Sequence, residues 1–185
     1  MKEAVGMTEE AGRAIEYEAP MAEVVADFRA TIEQSAARLL ALDESERDGR
    51  APGEEGWTPR QIVGHLIDSA ANNHRRFVLG QFTDDLVFDG YAQEDWVRSQ
   101  AYDRADWDGL VALWRSYNLH LAHVMSHAAE EVLRRERRAH TLDRIAFKAV
   151  AQGRPATLEY LMRDYVGHLK HHLRQIFPRE GSDAR

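Results

Sequence analysis

Two histidines, His168 and His172, stand four residues apart in the apolar-patterned run 156–177, ATLEYLMRDYVGHLKHHLRQIF. On an α-helix, positions i and i+4 lie one above the other, so two imidazoles so spaced can share one metal ion. The apolar stripe of this run is Leu158, Leu161, Met162, Tyr165, Leu169, Leu173 and Ile176. At ~100° per residue, His172 lies roughly −40° and His168 roughly −80° from that stripe. Both occupy one edge of the face expected to be buried. His171, at about −140°, is expected to face solvent.

The chain holds nine histidines, so direction decides which others join the pair. In an earlier helical run with the stripe Ile62, Leu66, Ala70, Asn73 and Phe77, His65 lies about −100° away. The same edge carries Ser69, Asn72 and Arg76, a polar ridge near spacings i+4, i+7 and i+11. His74 sits on the opposite edge and reads as a packing histidine. His123 and His127, with His120 nearby, lie on the wet side of their own helix and read as surface residues. Three neutral imidazoles, His65, His168 and His172, would suit a divalent ion. Zinc or nickel come first, with iron or manganese as alternatives, and open positions would make the site reactive. The competing reading is three histidines with separate partners.

Asp68 and Ser69 beside His65, and Gln175 beside His172, are candidates to fix the imidazole tautomers. Asp68 lies roughly 160° off the stripe, which favours a solvent or subunit-interface carboxylate. Asn73 falls inside the stripe and needs a partner, expected across the bundle. Arg76 could grip a substrate carboxylate in bidentate fashion or form a surface ion pair. No catalytic residue is singled out.

The elements that must position these groups follow from periodicity. A first helix is expected from about Pro20 to Asp43, with Met21, Val24, Val25, Phe28, Ile32, Leu39 and Leu42 on one stripe. Residues 44–56 read as a loop. Thr58, Pro59 and Gln61 form a capping box with proline at the first position, and Trp57 is placed to staple onto Ile62. That second helix runs to Leu79 or Gly80. Residues 81–102 lack a period and form a long connection with short helical turns. A third helix is expected from Asp103 or Asp106 to about Arg137, with its basic end at the C-terminal dipole. A second connection reaches Pro155, and Thr157 caps the last helix. Four amphipathic helices with two long connections predict an all-α four-helix bundle. Residues 1–19 read as an arm, 20–178 as the bundle and 179–185 as a polar tail.

Composition excludes several classes. At 185 residues the chain suits one domain with a substantial core. The absence of cysteine removes disulfide scaffolds, thiolate metal sites and protein thiol nucleophiles. A net charge of −7 argues against nucleic acid. No run reaches the ~20 apolar residues of a membrane helix, and no signal-peptide pattern opens the chain, so a cytoplasmic location is expected.

The stretch Trp57-Thr58-Pro59-Arg60-Gln61-Ile62-Val63-Gly64-His65-Leu66-Ile67-Asp68-Ser69, with Asn72-Asn73 and Arg76-Phe77, resembles the start of the second helix in the DinB-like (DinB/YfiT) superfamily. Asp89-Gly90-Tyr91 with Trp96, Gln100 and Tyr102 looks like that family's middle connection. Asp164-Tyr165-Val166-Gly167-His168-Leu169-Lys170-His171-His172-Leu173-Arg174-Gln175-Ile176 looks like its closing helix. The resemblance spans about residues 20–178. It implies an up-down-down-up bundle, commonly a homodimer, with a divalent metal on His65, His168 and His172. It also implies a small-molecule substrate and chemistry of varied kind: transfer of a low-molecular-weight thiol, or hydrolysis by metal-activated water. A metal- or ligand-binding stress-response protein without turnover is the alternative from another class. A structural dimer with incidental histidines is the third.

Overall fold

The computed structural model describes residues 19–49 and 56–178. The expected arm, apart from Ala19, and the expected tail lie outside them, as does most of the glycine- and proline-bearing half of the first loop. Eight helices form among the described residues: α1 (Met21–Leu40), α2 (Glu44–Asp48), α3 (Pro59–Leu79), α4 (Gln93–Ser99), α5 (Trp107–His127), α6 (Glu130–Arg134), α7 (Leu142–Ile145) and α8 (Leu158–Ile176). A 3-10 turn at Tyr102–Arg104 precedes α5. The long helices α1, α3, α5 and α8 make the bundle.

Their directions can be read from side chains that cross between them. Arg60 at the start of α3 donates to the Ala105 carbonyl just before α5, so these two neighbours run parallel. Gly80, just past α3, lies against Leu158 at the start of α8, so that pair is antiparallel. Trp107 at the start of α5 donates to the Leu39 carbonyl at the end of α1, another antiparallel pair. Lys170 pairs with Asp27, and Arg38 lies over the Phe177 ring, so α1 and α8 run parallel. The order is up-down-down-up, and the long connections exist because parallel neighbours cannot be joined by a tight turn.

One large side chain from each long helix meets in the centre: Phe28, Phe77, Trp114 and Tyr165, all essentially fully buried. The Tyr165 ring meets Phe28 and Phe77 edge-on, at 6.0 and 5.7 Å between centroids. Aromatic pairs prefer such arrangements. The Tyr165 hydroxyl donates to Asn118 Oδ1 at 2.6 Å, which satisfies both buried polar groups.

Local chemistry starts the helices where the sequence says it should. Thr58 and Gln61 bond reciprocally as a capping box ahead of α3, and Thr157 accepts from the Tyr160 amide ahead of α8. Two expectations fail. The first loop contains α2, because Asp43 and Glu46 form a second capping box. The third helix stops at His127 rather than Arg137. There the side chains of Ser126 and His127 both donate to the His123 carbonyl at 2.8 Å, and Ala128 turns extended at φ −71°, ψ 131°. Side chains that capture a helix carbonyl compete with the next turn. The basic run then leaves the helix, and buried Arg137 donates to the Gly80 carbonyl at 2.8 Å, closing the end of α3.

The connections are pinned to each other. Leu86 pairs with His140, and Arg137 with Ala156, in isolated β-bridges. The first connection, residues 81–106, folds over α3. This leaves residues 62–70 of that helix buried on every side.

Candidate metal centre

His65 comes from the second turn of α3, and His168 and His172 from the middle of α8. Because these helices are antiparallel neighbours, the three rings meet. His65 Nε2 lies 3.4 Å from His168 Nε2, and His172 Nε2 lies 3.1 Å from His168 Nε2. One ring nitrogen from each residue falls within 4.8 Å of the other two, and no other group of three or more such side chains does so among the described residues. His65 is fully buried and the others half-buried, so the cluster is reached from the α8 side. Trp57 covers it from above, its ring 4.7 Å from that of His65. Phe147, from the second connection, lies 5.6 Å from the His168 ring.

The donor set fits a divalent ion. A tetrahedral ion with bonds of about 2.0–2.1 Å holds its nitrogens about 3.3–3.4 Å apart. The tautomers also suit one. His172 Nδ1 faces Gln175 Oε1 at 2.7 Å, and His168 Nδ1 faces Ser69 Oγ at 3.5 Å. With both Nδ1 atoms protonated toward these acceptors, the two Nε2 lone pairs face each other, an arrangement a shared cation satisfies. His65 Nδ1 is buried without a partner. Burial, reinforced by the neighbouring imidazoles, holds His65 and His168 at a pKa of about 3, and burial lowers that of His172. All three rings are therefore neutral at pH 7, the state in which imidazole ligates.

The remaining sequence candidates divide. Ser69 and Gln175 lie beside the clustered histidines, facing His168 and His172. Asn72 donates to the Asp68 carbonyl one turn back on its own helix. Asn73 likewise bonds within its helix, to the Ser69 carbonyl, and not across the bundle. Asp68 is neither solvent-facing nor at an exposed interface: it is 2% exposed. The first connection covers that side of α3, and Tyr102 Oη and Gln100 Nε2 each donate to Asp68 Oδ1 at 2.7 Å. Burial raises its pKa, and those two bonds offset only part of the rise. Angle on a lone helix could not reveal this, because the cover is a connection without a period. Arg76 is not in a surface ion pair. It is 5% exposed and donates to the Asp89 carbonyl and to Asn73 Oδ1.

Of the other histidines, His171 is half-buried against the Phe147 ring at 5.1 Å, not free in solvent as expected. His123 and His127 are exposed. His74 packs between Tyr117 and His120. Trp57, Phe147 and Tyr91 were not singled out as site residues, and only their ring contacts and burial reveal them.

A family model of the DinB superfamily matches residues 27–176. The chain belongs to the DinB superfamily. Within it, a protein of Bacillus subtilis (strain 168) named "Putative metal-dependent hydrolase YfiT" is 27% identical over 135 residues, covering 73% of this chain and 67% of that protein. The solved structure of YfiT, described as having an unusual four-helix bundle topology, aligns with a TM-score of 0.66 at 24% identity. That alignment covers 90% of this chain and 91% of YfiT. The mycothiol-dependent maleylpyruvate isomerase aligns with a TM-score of 0.57 at 16% identity, over 86% of this chain and 58% of its own. At these identities the structural likenesses speak for the DinB fold, not for a shared substrate.

Proposed function

We propose that this DinB protein is a metal-dependent enzyme whose centre is His65, His168 and His172, and that its nucleophile is a small thiol. The convergence of three Nε2 atoms at 3.1–3.4 Å for two of their pairs carries the reading. Zinc or nickel suits this donor set best, with iron or manganese as alternatives. A divalent ion held there supplies a Lewis-acid position that lowers the pKa of a thiol or a water.

The chain's own residues do the positioning. Gln175 and Ser69 hold two imidazoles in the ligating tautomer, and the buried α3–α8 contact fixes their separation. Trp57 and Phe147 limit water around the cluster, which strengthens electrostatic interactions within it. With no cysteine in the sequence, a sulfur nucleophile must arrive as a separate molecule. Hydrolysis by metal-activated water is the second reading, and the name carried by YfiT favours it. A bundle that binds metal or ligand without turnover is the third. The reading includes a small-molecule substrate, a homodimer and a cytoplasmic location.

Metal content of the purified protein and of a His168→Ala, His172→Ala variant tests the centre, with metal expected only in the former. Equal content in both would remove it. A panel of low-molecular-weight thiols with an electrophilic acceptor, run beside ester substrates, then separates the chemistries. Thiol-dependent product is expected, ester cleavage without thiol would select hydrolysis, and saturation without product would select a binding protein.

A further inference from the structure

A line of polar side chains leaves the histidine cluster along α3 and ends at an arginine without an acid. Ser69 touches His168 at 3.5 Å, Asn73 Nδ2 approaches Ser69 Oγ at 3.4 Å, and Arg76 Nη1 approaches Asn73 Oδ1 at 3.4 Å. Each link sits at the far edge of hydrogen-bonding distance, so these groups keep capacity for a better partner. Arg76 is 95% buried, since only 5% of it is exposed. A guanidinium has five N–H donors. Its one bond of ordinary length goes to the Asp89 carbonyl at 2.8 Å, and no carboxylate among the described residues pairs with it. A buried arginine is normally paired.

Tyr91 adds an independent observation. Its hydroxyl is buried with no hydrogen-bond partner of normal geometry, and it lies within electrostatic reach of Asp68 first, then Arg76, with Ser69 nearby. An orphaned phenol donor and an unpaired guanidinium thus border the same place. The arginine head, held at Asn73, lies about 6 Å of helix rise beyond Ser69. Ser69 meets the Nδ1 side of the His168 ring, away from the clustered Nε2 atoms, so a molecule joining the two places needs at least about three or four carbon atoms between its ends.

The geometry points to a carboxylate-binding subsite formed by Arg76 and Tyr91, so that a substrate reaching the histidine centre is a small carboxylic acid anchored at its far end. This rests on the metal-centre reading. A single guanidinium matches a monoanion better than a phosphate dianion, and the planar fork matches a carboxylate in particular.

The test uses cobalt-loaded protein titrated with 4-mercaptobutyrate and with 2-mercaptoethanol, reading the sulfur-to-cobalt absorption band. The carboxylated thiol is expected to saturate at a concentration about tenfold or more below that of the neutral one, as charge-assisted pairs require. Arg76→Met should abolish that preference while the 2-mercaptoethanol curve stays put. Tyr91→Phe removes an unpartnered hydroxyl and leaves the fold intact; it should shrink the preference severalfold, which keeps the test open if Arg76→Met does not fold. Glutarate should displace 4-mercaptobutyrate better than inorganic phosphate does. Equal saturation by both thiols in the unaltered protein overturns the subsite, as does a preference that survives Arg76→Met, which would mean simple chelation. If no cobalt binds, the metal-centre reading fails. Calorimetric titration of metal-free protein with glutarate then decides the subsite alone: Arg76-dependent binding supports it and no binding overturns it.

Discussion

Tyr102 lies so close to the backbone of Gly64 that a Cβ at that position would fall 2.2 Å from the ring's Cγ and Cδ2. Only a residue without a side chain lets the ring sit flat on α3 and bring its hydroxyl to Asp68 Oδ1 at 2.7 Å. The glycine thus supports the packing around Asp68, one turn from His65 on the same helix. Gly64→Ala should expel the ring and strip the buried Asp68 of a donor. Overpacking costs about 1–3 kcal/mol and an unmade buried hydrogen bond about 1–3 kcal/mol more. At about 2–4 °C per kcal/mol for a chain of this size, the melting temperature should drop by about 5–20 °C. Tyr102→Phe removes only the hydrogen bond and should cost less than half as much. Thermal unfolding of both variants by circular dichroism checks the ordering.

Much of this was legible beforehand, and the line between legible and hidden has a physical basis. Direction on a helix is set by ~100° per residue, so the stripes of α3 and α8 named the core, and the edges named His65, His168 and His172. The same rule failed for Asp68. Its angle is correct for a lone helix, but the Tyr102 and Gln100 side chains arrive from a connection that has no period to read. It failed for Arg76 for the same reason, since Asp89 of that connection covers it. The end of α5 was misread because hydrophobic periodicity continued past His127, while the stop came from Ser126 and His127 capturing a single carbonyl. The capping box at Asp43 and Glu46 was readable by the rule applied at Thr58 and Gln61, and the glycines and proline that follow masked it.

Gln175 Oε1 faces His172 Nδ1, so it would act on an ion held by the cluster only through that ring. Removing such a partner typically costs about 10–100-fold in metal affinity. Gln175→Ala should therefore weaken zinc binding by that factor while leaving the stability of the metal-free protein nearly unchanged, because Gln175 is exposed. Competitive titration against a chromophoric chelator measures it. Ser69→Ala should act in the same direction and more weakly, since its contact with His168 is 3.5 Å.

The bond between Tyr165 and Asn118 is the polar link between α8 and α5 at the centre of the bundle. Both residues are essentially fully buried. Tyr165→Phe leaves Asn118 Oδ1 without its donor in a place water does not reach. The expected loss is about 1–3 kcal/mol, read by denaturant unfolding at constant m-value. Replacing both partners, as Tyr165→Phe with Asn118→Leu, should restore part of it, because no orphaned group remains.

The histidine cluster sets how the metal-free protein responds to acid. His65 and His168 take up protons in the unfolded chain near pH 6.5, but in the folded chain only near pH 3. Burial is the main cause, with repulsion from the neighbouring imidazoles second. A group whose folded pKa is depressed binds more protons when unfolded, so stability rises with pH across the interval between the two values. The stabilisation is complete above about pH 6.5 and should be lost progressively as the pH falls toward 3. Carboxylates held low by hydrogen bonds, such as Asp43 and Asp48, weaken the fold in the same direction but only as they protonate below the ordinary carboxylate value of 3.8. Between about pH 6.5 and 4.5 the lowered histidines, His74 among them, weaken the fold as pH falls, and Asp68 and Asp164, whose carboxyls burial raises, oppose them in part. Urea midpoints of the metal-free protein should fall steadily across this range, and His168→Gln, which keeps an amide in place of the ring, should flatten the slope. Saturating zinc should steepen it, because protons then compete with the ion for the same nitrogens. An unaltered midpoint from pH 6.5 to 4.5 in the metal-free protein would show that these rings take up protons without unfolding.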